Sequence, residues 1–239
     1  MNVEVARPGS LVDHAMSHVR GFISKRDLKV GDALPGEAQF ATELGVSRTV
    51  MREAFGALAA LRLIDVANGR RARVGKVDGS VLGASVQHAV STSQFTLTQV
   101  WDVRRTLEVR TVELATVHRS SDDAYEIIAA ADAMAAARKD LDLVTQHDVR
   151  FHQIIARASG NPLFYEIIRS FEPLMRVAVP SAWQTRLTED EREQMLAIHR
   201  RLADAIADQD ADVAQSTLSE HFTSSIAVLL DDKTPAAPW

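Results

Sequence analysis

The sequence predicts a mainly α-helical protein in two parts, an N-terminal winged helix-turn-helix followed by a C-terminal all-α antiparallel helical bundle. Three observations lead there. Alanine is abundant and aromatics are only 5% of the 239 residues, with no long run of alternating Val, Ile, Thr and Tyr, so composition favours helix over sheet. Short capped helical stripes precede an Asn-Gly turn set between extended runs. From about Ser80 onward, every long segment repeats its apolar residues at helical spacing.

In the first part, Ser10 reads as an N-cap, with Asp13 three residues on where a carboxylate favours free amides. Leu11, Ala15, Val19, Phe22 and Ile23 then form one stripe. Leu34-Pro35-Gly36-Glu37 turns the chain into a short helix, with Pro35 expected near its first turn and Gly45 as its C-cap. Ser47 caps a second helix from Arg48 to about Leu61, with Val50, Ala54, Leu58 and Leu61 inward and Arg48, Thr49 and Arg52 outward. Two helices joined by a short Gly-containing turn predict helix-turn-helix geometry. Asn68-Gly69, between Leu63–Ala67 and Arg70–Val74, predicts a two-residue hairpin with φ > 0 at both turn positions.

Charge divides the chain at the same place. Residues 1–76 hold 12 Lys/Arg against 8 Asp/Glu, and the remainder holds 15 against 24. A basic module joined to an acidic one fits a polyanion that meets only the first. Hydroxyls, guanidinium groups and free amides at a helix N-terminus suit phosphates and base edges, and the arginines near the hairpin tip suit a backbone or a minor groove. The Gly-rich stretch at Gly75–Gly83 reads as a linker. The expected domains are 1–76 for DNA binding, 77–95 as linker and connecting helix, 96–232 as the helical domain, and 233–239 as a disordered tail. No cysteines, no apolar run of about 20 residues and no signal-peptide pattern lead to the expectation of a cytoplasmic protein without a membrane partner.

The second part reads as helices over Leu97–Val117, Asp122–Arg138, Leu141–Ser159, Pro162–Ala182, Thr188–Asp208 and Ala211–Leu230. Four polar residues interrupt the inward stripes: Asp148 and His152 one turn apart, His199 among Met195, Leu196, Leu202 and Ile206, and His221 between Leu218 and Phe222. A buried carboxylate needs a partner. One Asp and three imidazoles match either a divalent transition-metal site or hydrogen-bonded core histidines.

Leu34-Pro35-Gly36-Glu37, Leu44-Gly45-Val46-Ser47-Arg48-Thr49, Arg52-Glu53-Ala54 and Leu58…Leu61 resemble the signature of GntR-family transcription regulators over residues 10–74. The resemblance implies operator-DNA contacts at Ser47, Arg48, Thr49 and Arg52, and at Asn68 and Gly69 of the wing with Arg70 beside them; Glu37 is placed to position the recognition-helix arginines. Arg104-Arg105-Thr106-Leu107-Glu108, Asp148…His152, Ser159-Gly160-Asn161, His199…Ile206 and Ala214…His221 resemble the FCD effector-binding domain of the FadR-like branch. That resemblance implies a divalent metal on Asp148, His152, His199 and His221, with Zn expected first and Ni, Co or Mn as alternatives. It also implies a small carboxylate or sugar-acid effector near the metal, with Arg104 facing it. An ion pair with Glu108 at i, i+4 is the competing reading of Arg104.

The implied protein is a homodimeric, ligand-responsive regulator of the repressor type, and not an enzyme. Two other readings compete: a constitutive DNA-binding protein with a structural metal, and a metal-dependent hydrolase. The hydrolase needs a further inward carboxylate as base, and none stands out from the periodicity.

Overall fold

The computed structural model describes residues 10–186 and 188–229, so the tail expected at 233–239 lies outside the described residues. The chain divides into two compact units between Val81 and Leu82.

The first unit contains α1 (Leu11–Lys25), α2 (Glu37–Leu44), α3 (Arg48–Ala60), β1 (Ile64–Asp65) and β2 (Arg73–Val74). A capping box starts α1: the Ser10 hydroxyl accepts from the Asp13 amide, and the Asp13 carboxylate accepts from the Ser10 amide. Gly36 rather than Pro35 supplies the N-cap of α2, so Pro35 lies just outside the helix. Gly45 ends α2 at φ 71°, the left-handed region where a side chain is strained, and this tight stop lets α3 begin three residues later. Phe40, Met51, Ala54, Phe55, Leu58 and Ile64 form the core. Met51 and Phe55 are therefore inward in α3, while Leu61, expected inward, is 43% exposed because the helix has ended before it.

The wing departs from the expected tight hairpin. Ile64 pairs with Val74 and Asp65 with Arg73, which leaves residues 66–72 as a longer loop. Its tip is a turn closed by the Arg70 amide donating to the Ala67 carbonyl (3.1 Å), with positive φ at Gly69 alone, the requirement of a type II turn rather than I′. β2 is held from its other side as well. The Leu34 amide donates to the Ala72 carbonyl (2.8 Å), the Gly31 amide to the Val74 carbonyl (2.9 Å), and Ala72 is buried, so the second strand cannot slide into a two-residue register.

α4 (Ser80–Ser91) begins at the boundary and runs into the second unit, where α5 (Leu97–His118), α6 (Ser121–Ala136), α7 (Leu141–Ala158), α8 (Pro162–Ser170), α9 (Glu172–Gln184), α10 (Glu189–Ala207) and α11 (Ala211–Leu229) follow. Gly83 lets α4 approach α8 closely, since a Cβ there would lie 2.7 Å from the Ser170 carbonyl oxygen. Helices α5, α7, α10 and α11 surround the interior, and α6 packs against α7 and α10. The single helix expected over Pro162–Ala182 is two helices broken at Phe171. Pro173 explains the break: it has no amide to donate, and its ring would meet the carbonyl four residues back if the helix ran on. Pro173 instead occupies the first turn of α9, where a missing amide costs nothing.

Candidate functional site

The DNA-facing candidates sit where α3 begins. The Ser47 hydroxyl accepts from the Val50 amide at 3.2 Å, which fixes the helix start and leaves the hydroxyl proton for an outside acceptor. Arg48, Thr49 and Arg52 are exposed on the first turns, and Arg52 Nε lies 3.7 Å from the Glu37 carboxylate of α2. Asn68, Gly69 and Arg70 are exposed at the wing tip. Arg73 is also exposed, and its Nη1 donates to the Gly31 carbonyl at 2.6 Å, which helps anchor the wing. Of the arginines expected beside the tip, Arg70 and Arg71 are the exposed pair on the wing loop.

The second cluster lies inside the bundle. Asp148 and His152 come from α7, His199 from α10 and His221 from α11, and all four are buried. One ring nitrogen from each histidine lies within 4.8 Å of the other two. Hydrogen-bond partners decide which nitrogens carry protons. His152 Nδ1 donates to Glu108 Oε2 at 2.5 Å, leaving Nε2 with a lone pair and no partner among the described residues. His199 Nδ1 donates to the Met195 carbonyl at 2.9 Å, so its Nε2 lone pair faces Asp148 Oδ1 at 3.1 Å. A lone pair against a carboxylate is repulsive unless a proton or a metal ion lies between them. His221 Nδ1 is buried and also unpartnered among the described residues.

Without an ion the cluster is one of paired buried charges. Burial pushes Asp148 upward, but a hydrogen bond with His199, which needs a proton on Nε2, and the charges of His152, His199 and Arg104 outweigh it, leaving the carboxyl well below the ordinary range. Glu108 is lowered in the same way, with burial opposed by Arg104 and then His152. Burial drives His221 well below its usual value, so it is neutral and its lone pair is available to a metal. The donors that converge are the three imidazoles, which suit a borderline divalent transition metal; Asp148, expected as the fourth ligand, contacts His199 but lies outside that converging set.

Both readings of Arg104 meet here. Its Nε donates to Glu108 Oε1 at 2.5 Å in a fully buried i, i+4 pair, its guanidinium lies 5.1 Å from the Trp101 ring centre, and it lines a cavity of about 30 Å³ beside Asp148, His199 and His221. Sequence reasoning missed two neighbours. Glu108 is the inward carboxylate that the periodicity did not reveal, although Trp101, Arg104, Glu108 and Val112 share one face of α5 and that spacing was available. Its two oxygens are taken by Arg104 and His152, so it is not free to act as a base toward water. Arg186 also lines the cavity, from the connection after α9, and no helical period marks it. The larger groove of about 440 Å³ lies elsewhere on the bundle, and its arginines are already paired: Arg150 with Glu126, Arg157 with Asp123, Arg176 with Glu172.

Residues 11–74 match the bacterial regulatory proteins of the gntR family, and residues 99–224 match the FCD domain. Among curated relatives, the galactonate operon transcriptional repressor of Escherichia coli K12 is 28% identical over 82% of this chain and 86% of its own length. The Glc operon transcriptional activator of the same strain is 30% identical over 81% of this chain and 79% of its own. A solved GntR of Streptococcus agalactiae shares the fold, with a TM-score of 0.63 at 22% identity over 89% of this chain and 97% of its own. These relatives are regulators rather than enzymes, and among the described residues no helix is long and apolar enough to cross a membrane. With a DNA-binding signature on the first unit and an FCD match over more than half of the sequence, this chain belongs to the GntR family of transcription regulators, in its FCD-containing branch.

Proposed function

We propose that the chain is a ligand-responsive repressor of a carboxylate or sugar-acid operon, with residues 1–76 binding operator DNA and residues 96–232 sensing the effector through a bound divalent metal. In this reading two copies form a homodimer that places two recognition helices in successive major grooves. Ser47, Arg48, Thr49 and Arg52 contact phosphates and base edges, while Asn68, Gly69 and Arg70 meet the backbone beside them. Relatives named for galactonate and Glc operons support the metabolite class, and because one represses and the other activates, the repressor assignment is this reading's own choice.

The observation that carries the sensing half is the buried set of unspent nitrogens on His152 and His221 beside His199 and Asp148. These four residues would hold the metal, with Zn first and Ni, Co or Mn as alternatives set by availability. When bound, the metal supplies an electrophilic centre for a carboxylate oxygen. The chain's own residues do the rest: Glu108 holds the His152 ring, the Met195 carbonyl holds the His199 ring, and Arg104 offers a guanidinium to the same anion. Effector and operator are then coupled, each changing the affinity of the other by the same factor.

The cavity's size favours one rival. About 30 Å³ accepts a water or the head of a carboxylate, not a whole sugar acid, and Arg104 is already neutralised by Glu108. A constitutive DNA-binding protein with a structural metal is therefore the second reading. The test is operator binding by the purified full-length chain, with metal content measured by elemental analysis and a panel of small carboxylates and sugar acids added at fixed salt. The sensor reading expects about one divalent metal per chain and a shift in operator affinity with one class of acid. Metal present with affinity indifferent to every acid leaves the constitutive reading in place.

A further inference from the structure

We infer that Arg186 is a second anion-binding group of the same cavity, and that the effector is an organic dianion, a dicarboxylate in its simplest form. The inference rests on the cavity being an effector site. Arg186 is 8% exposed, yet it is not part of a salt bridge within the described residues. Its Nη1 donates to the Ala182 carbonyl at 2.6 Å, which ties the side chain to the end of α9. Trp101 adds an unspent donor: its indole Nε1–H is buried without a partner among the described residues, and the ring lines the same cavity.

The contrast with Arg104 is the point. Arg104 meets a carboxylate at 2.5 Å, whereas Arg186 has only the more distant attraction of Asp148 and of Glu191, so burial leaves its charged form less stable than in water. A largely enclosed guanidinium with no carboxylate at contact distance gains from an acid that comes to it. Charge balance then sets how much acid. Arg104 and Arg186 together cancel Asp148 and Glu108, and the histidines that hold a metal are neutral. A divalent cation therefore leaves two positive charges in a buried site. One carboxylate neutralises half of that, and a molecule with two neutralises all of it: one head fills the roughly 30 Å³ beside the cation and Arg104, and a second head at Arg186 requires the cavity to widen when the acid binds. The bidentate fork of a guanidinium suits a carboxylate at each end.

The alternative role of Arg186 is structural, as a cation capping the last carbonyls of α9. Binding measurements on the full-length, Zn-loaded chain separate the two. Titration calorimetry would compare malonate, succinate and glutarate with acetate, propionate and butyrate in the wild type, in Arg186→Met and in Arg186→Gln, whose amide retains a donor for the Ala182 carbonyl if the Met variant folds poorly. The expected result is that the best dicarboxylate binds at least about tenfold tighter than its monocarboxylate counterpart, and that this advantage falls to about twofold or less in either variant while monocarboxylate affinity holds. Equal binding of both classes by the wild type, or an advantage that survives in both variants, overturns the inference and leaves the carboxylate-sensor reading standing. No binding by either class overturns the inference, and the proposed function then stands or falls on the sugar acids of the operator-binding panel.

Discussion

The two units keep their chemistry in opposite kinds of place. In the first, Arg48, Thr49, Arg52, Asn68 and Arg70 stand exposed at the start of α3 and on the wing turn, whose backbone is fixed locally by the Ser47 hydroxyl on the Val50 amide and by the Arg70 amide on the Ala67 carbonyl. In the second, Asp148, His152, His199 and His221 are buried and come from three helices, with α5 supplying Glu108 behind them. A surface reader loses affinity when a side chain is cut, but its fold hardly notices. A buried polar cluster cannot be edited without touching stability, because each removed partner leaves another polar group unpaired in a dry interior.

The largest expected effect comes from cutting into the buried cluster. His221→Ala removes one of three converging rings and leaves the other two beside Asp148, so metal content should fall toward zero and the bundle should lose roughly 3–5 kcal/mol in the metal-loaded comparison. Elemental analysis and denaturant unfolding read both quantities, and unchanged metal content would remove His221 from the ligand set. Arg48→Ala combined with Arg52→Ala should do the reverse. Operator affinity should fall by about 1–3 kcal/mol per lost base contact, with metal content and unfolding midpoint unchanged. A double variant that binds within twofold of wild type at moderate salt breaks the assignment of α3 as the reader.

Glu108→Gln probes the layer behind the ligands. The variant keeps the shape but replaces the carboxylate that orients His152, and metal affinity should fall about 10–100-fold in a chelator competition, with far less change in fold than His221→Ala. A smaller effect follows from pH. His221 is held neutral in the fold well below its unfolded value of about 6.5, so the unfolded chain binds more protons below that pH. Metal-free protein should therefore lose stability as pH falls from about 7 toward 5, and His221→Gln should flatten that slope. Asp148 and Glu108, whose values are lowered, act at more acidic pH: their contribution is present above about 4 and is lost as pH falls further. Melting temperatures across this range, wild type against variant, separate the histidine from the carboxylates.

How much of each region could be read beforehand follows from the same contrast. The caps at Ser10 and Ser47 and the stop at Gly45 were legible because each is decided by residues three or four positions apart. The wing was misread in detail for a related reason: Asn68-Gly69 alone points to a tight hairpin, but the backbone bonds from Gly31 and Leu34 that hold β2 come from about 40 residues away. Inside the bundle, helical spacing exposed the four polar intrusions, since a His or Asp on an apolar stripe is conspicuous. Glu108 escaped because an Arg four residues before it offered a complete local explanation, and the structure shows that pair turned inward instead. Arg186 escaped because it lies in a connection, where no period exists to be broken. The break at Phe171 was there to be read in Pro173 and was overridden by the apolar stripe running through it.

The smallest effect tests whether the surface reader is as independent of its neighbours as the comparison holds. Glu37 on α2 lies 3.7 Å from Arg52, with the arginine side chain 78% exposed, so solvent screens the pair and its worth to folding is on the order of 0–1 kcal/mol at most. Its effect on DNA binding has a sign that can be argued. A carboxylate beside Arg52 restrains the guanidinium before DNA arrives but competes with phosphate for the same cation. If restraint wins, Glu37→Gln weakens operator binding, and the same substitution made in an Arg52→Ala background costs nothing further. If competition wins, Glu37→Gln strengthens binding and steepens its salt dependence. We expect restraint to win, with a loss of two- to fivefold (about 0.4–1 kcal/mol), because at 3.7 Å the pair is loose enough to release the fork to a base edge or phosphate. A double-mutant cycle on Glu37 and Arg52, measured by operator binding at two salt concentrations, reads the coupling directly, and additive losses would mean that the two side chains meet DNA without reference to each other.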